Sequence, residues 1–172
     1  MGSSASALVV VNTLKRQPVF CQLNVSSSAD IATIEEHCSR PPWSEELIAK
    51  EFSSSVSKIY GARLAGSLVA FLIIHVVVDE AHIINLGVDV NLRGQGIGRF
   101  LLTACLKELQ SLGVRWLTLE VRRANIVARN LYESLGFLEV GLREKYYTDN
   151  NEDALILKLN LLQYFQNIAQ IR

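Results

Sequence analysis

Thiols are scarce in this chain. Cys21, Cys38 and Cys105 are odd in number and widely spaced, which excludes a disulfide framework and offers no metal-ligand pattern. They read as small buried or idle thiols of a reducing compartment, and neither a catalytic cysteine nor a metal is expected. Long apolar runs are also missing. The longest, Leu68 to Val78, is interrupted by His75 and is too short to cross a bilayer, and the N-terminus shows no charged region followed by a hydrophobic one. A cytoplasmic protein with no membrane contact is therefore expected. Nor does either charge predominate: 17 Lys and Arg balance 17 Asp and Glu, so the whole chain lacks the basic footprint of a nucleic-acid binder. No repeat divides the sequence, and its only biased patch is a mild one, Ser53 to Ser57.

What is present suits one domain. At 172 residues and 49% hydrophobic, the chain can bury a substantial core without staples. Its charge is unevenly distributed: residues 1–92 hold six Lys and Arg against nine Asp and Glu, whereas residues 93–145 hold nine against five. The positive excess lies around a glycine cluster, Arg93-Gly94-Gln95-Gly96-Ile97-Gly98.

The periodicity predicts an α/β (α+β) unit. Helices are expected over Ala29 to Cys38, with Ser28 or Asp30 as cap, and over Ser44 to Phe52. Lys58 to Leu64, Ser67 to Val78 and Ala81 to Val88 read as an antiparallel meander. Gly96 to Leu112 then places Ile97, Leu101, Cys105, Leu109 and Leu112 near one helical face, with Gly113 as C-terminal cap. Trp116 to Val121 returns as a strand, so strand, helix and strand form a βαβ unit with a parallel pair and a ligand crevice at the carboxyl ends. Asn125 to Leu135 is a further helix, with Asn125 as N-cap and Gly136 as stop. Phe137 to Arg143 and Ala154 to Leu159 close the sheet as a hairpin.

Glycines at a helix N-terminus let a phosphate approach unpaired N–H groups and the positive end of the helix dipole. Gly94, Gly96 and Gly98 fit that role, with Arg93 and Arg99 as flanking cations, and a pyrophosphate is the natural guest. The same glycines equally suit a tight turn entering a helix. The segment has no Lys-Ser or Lys-Thr ending, and a meander precedes it where a dinucleotide fold has its first strand, so ATP and NAD are set aside.

The segment resembles the R-x-x-G-x-G signature of the GNAT acetyltransferases. Asn125-x-x-Ala128-x-x-Leu131-Tyr132-Glu133-x-x-Gly136-Phe137 is similar to that family's later helix. Pro42-Trp43-Ser44, Asn85 to Asp89, Leu119 to Arg122, Tyr146-Tyr147 and Glu152-Asp153-Ala154 extend the likeness toward members that acetylate the N-terminal alanine of a ribosomal protein. The similarity runs from about Pro42 to Leu159; residues 1–20 and 160–172 read as extensions of a single GNAT domain. Two departures stand out: Gly87 occupies a place where many relatives have alanine, and both chain ends are long.

The resemblance implies a mixed sheet with helices on both faces, acetyl-coenzyme A as co-substrate and direct attack by an amine. It implies that Gly94, Gln95, Gly96, Ile97, Gly98 and Arg99, with Arg93, hold the pyrophosphate; that the backbone of Leu86, Gly87 and Val88 pairs with the pantetheine arm; and that Asn125 contacts the cofactor besides capping its helix. Glu120 resembles the general base and Tyr132 the general acid that donates to the departing thiolate. Strand alternation independently puts Glu120 on one face with Thr118 and Trp116, opposite Leu117, Leu119 and Val121. Trp43, Arg143, Tyr146 and Tyr147 match the acceptor groove. His75 and His82 receive no role.

The implied acceptor is a basic ribosomal-protein N-terminus; lysine or small-amine acetylation, or a non-catalytic acyl-coenzyme A sensor, are the alternatives. At pH 7.5 an α-amine of pKa about 7.8 is roughly one-third neutral, against about 0.1% for lysine, which favours the α-amine. The acidic residues Glu35, Glu36, Glu45, Glu46 and Glu51 are expected to line the acceptor side and attract such a peptide.

Overall fold

The structure, a computed structural model, describes residues 17–170. Seven strands form one mixed sheet: β1 Val19–Gln22, β2 Ser57–Leu64, β3 Ser67–Val77, β4 Glu80–Val88, β5 Trp116–Arg122, β6 Leu138–Tyr147 and β7 Glu152–Asn160, in the order β1-β2-β3-β4-β5-β7-β6. Every neighbouring pair is antiparallel except β4 and β5, which run parallel. Five helices cover it: α1 Ser28–Glu35, α2 Glu45–Phe52, α3 Ile97–Ser111, α4 Ile126–Glu133 and α5 Leu161–Gln170. No helix among the described residues is long and apolar enough to cross a membrane.

The unbroken apolar run of β3 from Leu68 to Ile74 follows from its being covered on both faces. Leu72 and Ile74 turn toward α3, joining Leu101, Leu102, Cys105 and Leu109, while Phe71 and Ile73 turn the other way, joining Ile31 of α1 and Ile48 of α2. Side chains such as Leu101, Leu106 and Phe71 are fully buried, each worth roughly 1.5–3 kcal/mol of transfer free energy. Local chemistry sets the helix ends: Ser44 Oγ accepts from Leu47 N (3.2 Å) and Asn125 Oδ1 from Ala128 N (3.1 Å). Gly113 and Gly136 adopt the positive φ of C-terminal stops. At α1 the expected caps do not form; Asn24 caps the preceding 3-10 turn instead, accepting from Ser26 N.

Two ends of the chain differ from expectation. Val19 and Phe20 belong to β1 and pair with Arg63 and Ala62, so they are sheet rather than extension; residues 1–16 lie outside the described residues. α5 seats Leu161 in the core and lays Tyr164 and Phe165 against it. Short edge strands and late helices carry weak periodic signals, and packing decides them.

The feature that makes the site is a split between β4 and β5. Their ladder runs only from Glu80↔Trp116 to Ile83↔Leu119, yet β4 continues to Val88 and β5 to Arg122. Ile84 is an extra residue in β4, because Ile74 pairs with Ile83 and Ile73 with Asn85. Such a bulge bends its strand and increases twist, and the two parallel strands diverge there.

Candidate active site

The diverging strands open a cleft of about 770 Å³. Its walls include Cys38 to Ser44 from the α1–α2 connection, His82 to Leu86 of β4, Glu120 and Arg122 of β5, Tyr132 of α4, and Tyr146 and Tyr147 of β6. Trp43, Leu86, Asn125, Tyr132, Tyr146 and Tyr147 thus meet around Glu120 as the sequence suggested.

Alternation along β5 is clean: Leu117, Leu119 and Val121 are buried toward α3, and Thr118, Glu120 and Arg122 face the α1–α2 side. Glu120 has a side chain only 8% exposed, and both carboxylate oxygens are engaged. Oε2 lies 2.6 Å from His82 Nε2 and Oε1 lies 3.0 Å from Arg143 Nη2. A carboxylate so shielded is tolerable only when hydrogen-bonded by donors. His82 Nδ1 in turn meets Thr118 Oγ1 at 2.8 Å. The hydroxyl can donate to a neutral ring, or turn toward Ala81 O (3.3 Å) and accept from a protonated one. Three strands therefore fix one line of polar groups: Thr118, His82, Glu120, Arg143.

His82 is the cleft residue beside Glu120 that the sequence did not single out. Its signal lay in the register of the parallel pair, which places His82 directly opposite Thr118, and no pattern within β4 reveals that register. Arg143 also departs from expectation. Its guanidinium sits on Glu120 and 5.4 Å from the Tyr146 ring, so it joins the surroundings of the Glu120 carboxylate to the aromatic wall.

Tyr132 belongs to the α3-side cluster but reaches the same cleft. Its ring packs edge-on to Phe137 at 5.4 Å, and its hydroxyl has no protein hydrogen bond among the described residues. Burial first, then the neighbouring Tyr147, pushes its pKa well above the ordinary tyrosine value. The phenol therefore stays protonated throughout the neutral range. Burial likewise pushes Tyr60 and Tyr147 up to about 12. A group whose pKa is raised on folding stabilises the fold below its unfolded value and loses that contribution as pH climbs through the folded one. Stability should hold to about pH 10 and decline above it, and ultraviolet titration should show these three phenols ionising only near or after unfolding. Ionisation of all five tyrosines near pH 10 in the native state would contradict this burial.

The glycine segment leads into α3 without a side-chain cap: Gly94 and Gly96 take φ of 74° and 80°, and a Cβ at either would meet open space. Phe100 N is the amide that closes on Gly96 O (2.9 Å), so the N–H groups of Ile97, Gly98 and Arg99 precede the ladder. Ile97's side chain is core, leaving only its amide for a ligand, and Gln95 is exposed. The two arginines are otherwise occupied. Arg93 donates to Val88 O (3.1 Å) and His37 O (2.7 Å), bracing the α1–α2 connection, and Arg99 reaches Ser134 Oγ.

Leu86, Gly87 and Val88 pair with β3 through Leu72, Phe71 and Ala70, and their β5-facing edge is open beyond Ile83. Gly87 has a packing reason: a Cβ there would press on the Phe71 ring (2.8 Å to Cζ) and on Cys38 Sγ (3.0 Å). Phe71 fills the space an alanine methyl would need. Gly87→Ala should cost about 1–3 kcal/mol of stability, and Phe71→Leu should relieve part of that in the double variant. Additive losses in thermal unfolding would contradict the pairing of these two sites.

The acidic acceptor side shrinks in the structure. Glu35 is fully buried, Glu51 bonds His75 (2.7 Å) and Glu46 pairs with Lys50 (3.0 Å). Only Glu36 and Glu45 of that group are exposed and without an ion pair among the described residues.

A seven-stranded mixed sheet that splits at its one parallel pair, with a carboxylate and a phenol at the split and a glycine-led helix beside it, defines an acetyl-transferring enzyme. The chain belongs to the acetyltransferase (GNAT) family, whose family model matches residues 28–137. It is 44% identical over 130 residues to the [ribosomal protein bS18]-alanine N-acetyltransferase of Escherichia coli K12, covering 73% of this chain and 86% of that one. The Salmonella typhimurium protein of the same name is 37% identical over 144 residues, covering 80% and 95%. Among solved structures, the ribosomal-protein-S18-alanine N-acetyltransferase from Escherichia coli superposes with a TM-score of 0.79 at 37% identity, covering 84% of this chain and 94% of that one. Ard1 from Thermoplasma volcanium shares the fold at a TM-score of 0.77 and 22% identity, over 83% and 97% of the two chains.

Proposed function

We propose that the protein transfers the acetyl group of acetyl-coenzyme A to the α-amine of an N-terminal alanine, on a ribosomal protein. The observation that carries this reading is Glu120, shielded at the strand split with Tyr132 in the same cleft. The acceptor follows from relatives named for ribosomal protein bS18 alanine, and the residues fit the donor. The open edge of β4 from Leu86 to Val88 suits an extended amide-bearing arm, and the uncapped start of α3 at Gly94 to Arg99 suits a pyrophosphate. Asn125, already capping α4, borders the same cleft.

Acetyl-coenzyme A supplies the acetyl group as a thioester. The protein's part is to bring a neutral amine to it and to receive the protons. Glu120 is the base, acting directly or through one water. With both oxygens occupied, one partner must yield before a proton can be accepted. His82 is fixed by Thr118, whereas the Arg143 side chain is 52% exposed, so Arg143 is the partner that moves and Oε1 the oxygen that receives. His82 keeps the carboxylate oriented through Oε2. Tyr132 donates a hydrogen bond to the departing sulfur; its raised pKa widens the gap to a thiol near 8.5, so hydrogen-bond stabilisation outweighs complete proton transfer.

Steady-state rates test the acceptor class. A peptide beginning Ala should turn over at least about tenfold faster than a lysine peptide with a blocked N-terminus, and faster than a polyamine. Preference for either of the latter would replace the α-amine reading, and acetyl-coenzyme A binding without turnover on any amine would replace catalysis with sensing.

A further inference from the structure

We propose that Arg122 is a positioning residue for the acceptor, holding the Tyr146–Tyr147 wall in the cleft from beneath. The proposal rests on the reading of that wall as acceptor-binding. Arg122 follows Glu120 by two residues, on the same face of β5, and its guanidinium is the hub of the turn between β6 and β7. Nη2 bonds both oxygens of Asp149 (2.9 and 3.0 Å), Nη1 bonds Asn150 Oδ1 (3.2 Å) and Glu152 Oε2 (3.3 Å), and the group lies 3.9 Å from the centre of the Tyr147 ring. Planar, bidentate and stacked contacts at once are what guanidinium does and ammonium does not. Burial opposes its charge, but hydrogen bonds to Asp149 and Glu152 outweigh that and hold it above the usual arginine value.

The hairpin needs such a hold. Between Arg143↔Ala154 and Tyr147↔Glu152 the pairing slips, three residues of β6 standing opposite one of β7, and Lys145 takes a φ of 50°. A bulge of this kind re-aims side chains, here placing both tyrosines at the cleft. A non-glycine residue at positive φ persists only where its surroundings enforce it. Lys145 N donates to Asp153 Oδ1 (2.9 Å), and Glu152 Oε1 accepts from Ala124 N (2.7 Å) on the turn that leads to Asn125. Asp149 and Glu152 thus tie the hairpin to β5 and to the start of α4, while Asp153 holds the bulge from within the hairpin. Arg122 touches the turn, the hairpin base and the aromatic wall together.

Full-length Arg122→Gln should raise the acceptor KM about tenfold while leaving kcat and the acetyl-coenzyme A KM within about twofold. Arg122→Lys should show most of the same loss, since charge alone does not restore the stack and the fork. Tyr147→Ala should raise acceptor KM to a similar degree, and in that background Arg122→Gln should add less than about twofold. Independent, multiplying effects in the double variant would mark Arg122 as merely structural and overturn the proposal. An unchanged acceptor KM in Arg122→Gln beside a raised one in Tyr147→Ala would overturn it too. If Tyr147→Ala itself left acceptor KM unchanged, the acceptor wall would be misassigned and the proposal would fall with it. Should Arg122→Gln fail to fold, Asp149→Asn serves instead, with a raised acceptor KM expected and an unchanged one contradicting the hub.

Discussion

Glu120→Gln should lower kcat/KM by about 10²–10⁴, the range that removing a positioned general base costs. Gln keeps the shape of the side chain and one acceptor oxygen, so acetyl-coenzyme A binding should change by less than about twofold. The loss should be pH-dependent. An α-amine of pKa about 7.8 becomes fully neutral without help by roughly pH 9, so the variant's rate should climb toward that pH while the parent enzyme levels off. The direction follows from the base's task, which vanishes once solvent has already removed the proton. A variant within about threefold of the parent at neutral pH would show that Glu120 only supports the cleft. His82→Gln should reproduce a milder form of the same profile, because its Nε2 contact at 2.6 Å orients the carboxylate without being the base.

Tyr132→Phe should separate activity from stability. The hydroxyl finds no protein partner among the described residues while the ring is buried against Phe137, so removing it costs no internal hydrogen bond. Stability should stay within about 1 kcal/mol, since the hydroxyl borders the cleft and its loss leaves no buried partner unsatisfied. Activity should fall by about 10²-fold, in kcat rather than in acceptor KM, because the donor is needed only as the sulfur leaves. Equal activity in the Tyr132→Phe enzyme, measured as single-turnover rate, would leave the tyrosine a core residue and nothing more. A large loss of thermal stability would equally contradict the free hydroxyl.

Much of this architecture was legible in the chain before folding was considered. The period change at Gly96, the terminal glycines at 113 and 136 and the alternation of Leu117, Leu119 and Val121 against Glu120 are local signals, each tied to one backbone period or one special φ, and they survive intact. What was illegible is relational. The bulge at Ile84 opens the cleft, yet nothing in Ile83-Ile84-Asn85 announces an extra residue, because register depends on the partner strand. His82 came to Glu120 only through its pairing opposite Thr118, and the contacts of Arg93 with the carbonyls of Val88 and the distant His37 are equally invisible in its own motif. Glu35 was counted as surface charge because α1 has little amphipathic contrast to show which face is inward. It is fully buried, near Trp43 N. Charge summed over a half-chain therefore overstated the acidic acceptor side.

The most direct test supplies the enzyme with acetyl-coenzyme A bearing an isotopically labelled acetyl group and with small-subunit ribosomal proteins lacking N-terminal acetylation. Mass spectrometry of the digested products then locates the label. The account predicts label on the α-nitrogen of an N-terminal alanine, lost in Glu120→Gln and retained on no lysine. Label on lysine ε-nitrogens, or undiminished α-amine labelling in the Glu120→Gln enzyme, would contradict it.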